Sequence, residues 1–183
     1  MPMMRTKQPP TSVVTSNLRY IIMLRSPTAE QLRAVLAMNV NVTAESILNP
    51  TEDKAKVERA LQKLFPSAPI EKTSKPDDSV VLRIHGSGLE FLSNLRSLIK
   101  QERIRSAARS ILFSRARGQR ISMYLNKQAA FVGRISFCEP VGESPLGPIS
   151  IEIESLDPQS VIDFLASSPG QGFSREFRER RRR

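Results

Sequence analysis

The sequence predicts an α+β fold, with a mostly antiparallel sheet and helices packed on one face. Three observations lead there. Val40, Val42 and Ala44 alternate with Asn41, Thr43 and Glu45, and Ile149, Ile151 and Ile153 alternate with Ser150, Glu152 and Glu154; a two-residue period marks half-buried strands. Elsewhere apolar residues recur three and four apart, the period of a helix with one buried stripe. The two kinds of segment are mixed, and the strands come in hairpin-like runs rather than in strict alternation with helices, which favours one helical layer on an antiparallel sheet. The predicted order is β-α-β-β-α-α-β-β-β-α.

The elements follow in turn. Residues 1–36 read as a partly disordered basic extension containing Pro9, Pro10 and Pro27, with room for a short helix over 28–37 and with Met4, Met23 and Met38 as alternative starts. The first strand begins after Asn39. Asn49-Pro50-Thr51-Glu52-Asp53 supplies a cap and acidic groups for a helix whose stripe is Val57, Ala60, Leu61, Leu64 and Phe65, and Pro66 stops it. A short strand near Ile70 and a polar turn lead to a strand over 80–85, with Val80, Leu82 and Ile84 on one side and Arg83 and His85 on the other. Leu89, Leu92, Leu95 and Ile99 mark the next helix. Ile104, Ala107, Ala108, Ile111 and Leu112 mark another, and Gly118 ends it. Strands are expected over 120–125, 133–138 and 149–154, and Asp157-Pro158 opens a last helix carrying Val161, Ile162, Phe164 and Leu165. The domain boundaries follow: 1–36 extension, 37–168 α+β domain, 169–183 arginine-rich tail.

Composition bounds the function. With 183 residues there is room for one domain with a core plus tails, and with no tryptophan and two tyrosines that core must be mainly aliphatic. Cys138 is the single cysteine, which excludes an internal disulfide and a multi-cysteine zinc site and points to a reducing, cytoplasmic setting. No apolar run approaches the ~20 residues of a membrane-spanning helix.

The net charge of +10 is unevenly spread: residues 1–33 carry +4, residues 34–95 carry −1, residues 96–120 carry +7, residues 121–169 carry −4 and the tail from Gly170 carries +4. Clustered positive charge fits a polyanion partner better than a need for solubility, which dispersed charge would meet.

The runs Ile104-Arg105-Ser106-Ala107-Ala108-Arg109-Ser110-Ile111-Leu112, Tyr124-Leu125-Asn126-Lys127-Gln128-Ala129-Ala130-Phe131-Val132-Gly133 and Glu143-Ser144-Pro145-Leu146-Gly147-Pro148-Ile149, with Pro50-Thr51-Glu52-Asp53 and Leu64-Phe65-Pro66 before them, resemble a family of small archaeal proteins described as predicted RNA binders. The resemblance covers roughly residues 38–167. It implies a fold similar to that of the ribosomal protein that binds the smallest ribosomal RNA, a relation to exosome-associated RNA binders, and no established activity. It says nothing of residues 1–36 or of the tail.

Within the central block, Arg103, Arg105 and Arg109 lie off the apolar stripe, and Arg115, Arg117 and Arg120 bracket the Gly118 turn. Forked guanidinium donors at such spacing suit successive phosphates. With one glutamate, Glu102, among eight basic groups, the block holds no acids of its own to neutralise it. The bland alternative is a solvated helix face. Asn126, Lys127 and Gln128, expected between two strands, either read RNA edges and backbone or satisfy the backbone of a turn. Arg134 and the tail residues Arg175, Arg178, Arg180, Arg181, Arg182 and Arg183 complete the candidate RNA contacts. Phe113 falls on the polar side of its helix. Burial against a neighbour is the commoner fate of such a ring, and stacking on an unpaired base is the alternative.

Catalytic and metal readings are weak. His85 is the lone histidine and has no second ligand at metal spacing. Gly86-Ser87-Gly88 suits a helix entry better than a phosphate cradle, and the Glu143–Pro148 stretch suits a rigid turn. The paired Glu152 and Glu154 speak against the open sheet face as the main phosphate surface. The sequence therefore predicts a non-enzyme with no cofactor and no small-molecule substrate, binding structured RNA, with ribosomal RNA and ribosomal proteins as partners. A ribosome-associated factor working through protein contacts, an RNA-processing enzyme with an unrecognised site and a DNA-binding protein are the alternatives.

Overall fold

The computed structural model describes residues 39–75 and 79–167. Six strands and five α-helices follow along them: β1 (Val40–Leu48), α1 (Lys54–Leu64), β2 (Glu71–Ser74), β3 (Val80–Ser87), α2 (Ser93–Gln101), α3 (Arg105–Arg115), β4 (Ala116–Arg117), β5 (Arg120–Asn126), α4 (Lys127–Phe131), β6 (Pro148–Ser155) and α5 (Pro158–Leu165), with a 3-10 turn over Leu89–Leu92. The strands form one antiparallel sheet in the order β2-β3-β1-β6-β5-β4. This is an α+β fold.

Register explains the core. Ala44 on β1 pairs with Ile84 and with Ile151, and Ile151 pairs with Met123, so one row crosses four strands; none of these residues is exposed. Onto that face the helices lay Val57, Leu61 and Leu64 from α1, Leu95 and Ile99 from α2, Ala108 and Leu112 from α3, and Val161, Ile162 and Leu165 from α5. A helix stripe and a strand face of aliphatic side chains bury each other; about 1.5–3 kcal/mol per large side chain drives the layering. The caps follow the sequence reading. Asp53 accepts from the Ala55 N–H to start α1 at 2.9 Å, and Asp157 accepts from the Ser160 N–H to start α5, with Pro158 as its first residue.

The structure corrects the order at three points: it adds the two-residue strand β4 and the helix α4, and it removes a strand. The strand expected over 133–138 shrinks to a single bridge, Leu125 to Phe137, flanked by bonds from the Asn126 N–H to the Ser136 carbonyl and from the Cys138 N–H to the Tyr124 carbonyl. Ile135 is buried and Phe137 half-buried, so their alternation is real, but it serves a loop running beside β5. Helix α4 takes the place given to a turn between strands, because Asn126 caps it and Ala130 buries beneath it. The extension through residue 36, with the helix expected over 28–37, and the arginine-rich tail lie outside the described residues.

Candidate nucleic-acid interface

The corner between α2 and α3 carries Lys100 and Arg103, both exposed, and the half-buried Arg105. Helix α2 closes when the Arg103 N–H donates to the Lys100 carbonyl at 3.2 Å and the Ile104 N–H to the Ile99 carbonyl at 3.3 Å. That double closure needs a left-handed residue, and Arg103 supplies it with φ 59° where glycine is the usual occupant. The chain then turns into α3, whose Ala108 and Leu112 anchor it to the core. No acid sits in the first turn of α3 and no side chain caps it.

Tertiary structure divides the eight cations of residues 96–120 into two sets. Arg109 pairs with Asp163 at 2.6 Å and also donates to the Ala166 carbonyl; Arg115 pairs with Glu139 at 2.7 Å and lies over the Tyr124 ring; Arg120 pairs with Glu154 at 2.7 Å. The neutralising acids all come from the −4 segment. The absence of acids within the block therefore does not leave it unpaired, because folding brings them from residues 139–163. Arg96, Lys100, Arg103, Arg105 and Arg117 have no acidic partner among the described residues. Arg117 donates to the Ser114 and Ala116 carbonyls and so closes the last turn of α3, while Arg96 lies 4.7 Å from the centre of the Phe164 ring. Arg103 and Arg105 sit at one end of α3 and Arg117 just past the other, about 16 Å apart for an eleven-residue helix.

Asn126, Lys127 and Gln128, at the junction of β5 and α4, divide differently. Lys127 is a correction: its side chain is 5% exposed, and its ammonium donates to both Glu52 carboxylate oxygens and to the Ile47 and Leu146 carbonyls. It has no donor left for a phosphate. Asn126 accepts from the Gln128 and Ala129 N–H groups and so caps α4, the backbone-satisfying alternative. Gln128 is exposed. Arg134 is 74% exposed and stands 3.9 Å from Glu102, a loose pair.

Phe113 is not buried. It is 41% exposed, with the Arg109 guanidinium 4.9 Å from its ring centre. His85 lies on the open sheet face, its Nδ1 3.2 Å from the Thr43 hydroxyl. That face also carries the ion pairs Glu45–Arg83 and Arg120–Glu154. Gly86 is a packing position, since a Cβ there would stand 2.3 Å from the Phe91 ring. Ser144 and Gly147 hydrogen-bond each other across the expected rigid turn, at 2.9 Å in each direction. Arg175, Arg178, Arg180, Arg181, Arg182 and Arg183 lie outside the described residues. Among the described residues no three His, Cys, Asp or Glu side chains group so as to hold a metal ion, and no helix is long and apolar enough to cross a membrane.

Sequence reasoning passed over Arg96 and Lys100 as candidates and missed the Lys127–Glu52 pair. For the two cations the signal was present, because both count in the +7 block. For the pair there was none, since the residues are 75 apart in sequence.

A family model described as RNA binding matches residues 41–155, which contain the α2–α3 corner. A UPF0201 protein of Sulfolobus acidocaldarius is 35% identical over 131 residues, covering 72% of this chain and 90% of that protein. A UPF0201 protein of Thermococcus kodakarensis is 37% identical over 131 residues, covering 72% of this chain and 92% of the relative. The crystal structure of a UPF0201 protein from Methanococcus jannaschii superposes with a TM-score of 0.62 at 28% identity, covering 69% of this chain and 98% of that one. On that shared length and fold, the chain belongs to the archaeal UPF0201 family.

Proposed function

We propose that this chain binds structured RNA without catalysing a reaction on it, using the α2–α3 corner as a rigid platform and the arginine-rich tail as a clamp. One observation carries the reading. The family model described as RNA binding spans the one block in which five cations lack acidic partners among the described residues. Five cations without acidic partners, on elements fixed by a packed core, suit phosphates at fixed spacing, and the six tail arginines add contacts without shape. Ribosomal RNA or a ribonucleoprotein particle, in a cytoplasmic setting, is the target that the family resemblance favours. Gln128 and Arg134 are exposed and fit the periphery of such a footprint.

The test is binding of the full chain to structured RNA across a salt series, with co-sedimentation with ribosomes alongside. Neutralising several phosphates releases a similar number of counterions, so log affinity should fall against log salt with a slope of several units. Deleting residues 170–183 should reduce that slope and leave the folded domain intact. Labelled RNA incubated with the protein and magnesium should stay whole. A flat salt dependence, or cleavage of the RNA, would refute the reading.

A further inference from the structure

Along one side of α3, Arg105, Ser106, Arg109, Ser110 and Phe113 line a hollow of about 310 Å3 whose far wall is Ala166 and Ser167, after α5. The spacing is i, i+1, i+4, i+5 and i+8, so a single helix face provides the floor. The Arg109 guanidinium is held by Asp163 at 2.6 Å and by the Ala166 carbonyl at 3.3 Å, and it lies against the Phe113 ring. Guanidinium and ring thus lie against each other at the edge of the helix layer, with the Arg109 side chain 22% exposed and Phe113 41% exposed. Arg105 engages no acceptor among the described residues, and the exposed Ser106 and Ser110 hydroxyls are likewise unpaired there. Asp163, the nearby acid, is already engaged by Arg109 and Gln159.

We infer that this hollow takes one unpaired nucleobase of the bound RNA, a finer claim that rests on the RNA-binding reading. The chemistry matches part by part. Bases extruded from a helix are held on aromatic rings and guanidinium planes and read at their edges by hydrogen bonds. Here Phe113 with Arg109 is the stacking surface, Ser106 and Ser110 face the base edge, and Arg105 takes the adjoining phosphate. The volume lies at the lower end of the ~300–1,000 Å3 of small-ligand sites, the size of a nucleotide and far too small for a duplex. Phe113 is 41% exposed beside this hollow, which leaves ring surface open to a ligand.

The experiment compares two RNA hairpins, fully paired or carrying one bulged fluorescent adenine analogue, against the full chain at low salt. A stacked base is worth roughly 5- to 150-fold in affinity, ~1–3 kcal/mol converted at 1.4 per decade. The parent chain should prefer the bulged hairpin by a factor in that range and quench the analogue. Phe113→Leu should bring the two affinities together and abolish quenching, with paired-hairpin affinity unchanged, and Phe113→Tyr should restore both. Equal affinity of the parent for both hairpins, or a preference that survives Phe113→Leu, overturns the pocket while leaving RNA binding in place. Binding to neither hairpin overturns both claims together.

Discussion

The Lys127 ammonium lies 2.9 Å from the Glu52 carboxylate, with both side chains about 5% exposed, and joins the β1–α1 connection to the loop before β6 and to α4. It donates to the end of β1 at Ile47, to the start of α1 through Glu52 and to the loop before β6 at Leu146, while belonging to α4 itself. Glu52 also accepts from the Asn49 N–H and side-chain amide, so nearly every polar atom at this junction is matched. Such a pair is weak evidence of net stabilisation, but breaking it leaves a buried charge uncompensated.

Lys127→Met should therefore lower stability by about 3–5 kcal/mol in urea unfolding. Adding Glu52→Gln should recover part of the loss, since the amide still accepts from Asn49 while the Ile47 and Leu146 carbonyls stay unmatched. RNA affinity of the folded fraction should not change. A single variant as stable as the parent would show that the pair is replaceable by water.

Arg103 sits in the left-handed region at φ 59°, where a side chain costs roughly 1–2 kcal/mol and glycine costs little. Glycine returns part of that through its larger entropy loss on folding. Arg103→Gly should thus raise stability by up to about 1 kcal/mol and lower the salt slope of RNA binding by about one unit. Opposite signs in unfolding and binding are the signature of a residue kept for its charge. A variant that loses stability would mean that the side chain supports the turn.

Much of the fold was legible because its signals are local. The alternation at Val40, Val42 and Ala44, the α1 stripe ending at Phe65 and the Asp157-Pro158 start each appear where the sequence places them. The segment 133–138 misled because Ile135 and Phe137 alternate like a strand while the chain makes one bridge. The site was legible only in outline. Charge counting finds the +7 block, but the acids that pair with Arg109, Arg115 and Arg120 lie between 24 and 54 residues further on, and only folding selects them. Lys127 failed for the same reason, since an exposed loop lysine and a buried one look alike in sequence.

Cys138 is 7% exposed, and burial, followed by the Glu143 charge, pushes its thiol above the ordinary value of 9.0 against the pull of Arg115. The thiolate is the nucleophile, so the native chain should react with a soluble disulfide reagent far more slowly than the urea-unfolded chain at pH 8. A folded value raised above the unfolded one favours the native state fully below about pH 9. That contribution fades as pH climbs through the folded value. Cys138→Ser should flatten this part of the alkaline stability profile. Equal labelling rates in native and unfolded protein would contradict the burial argument.

The sharpest prediction separates paired from unpaired arginines. Arg105 and Arg117 have no acidic partner among the described residues, whereas Arg120 is held by Glu154 at 2.7 Å. A phosphate that recruited Arg120 would first have to displace that carboxylate and leave it beside the RNA. Arg105→Ala with Arg117→Ala should remove up to two phosphate contacts, lowering the salt slope by about two units and the affinity in proportion. Arg120→Ala with Glu154→Ala keeps the net charge constant and deletes a pair with both members well exposed, worth at most ~1 kcal/mol of stability. Its salt slope should match that of the parent. Titrations of both variants on one structured RNA, at several salt concentrations, decide the matter. If the Arg120–Glu154 deletion flattened the slope as much as the other, the paired arginines would belong to the RNA surface, and the division drawn from the ion pairs would be wrong.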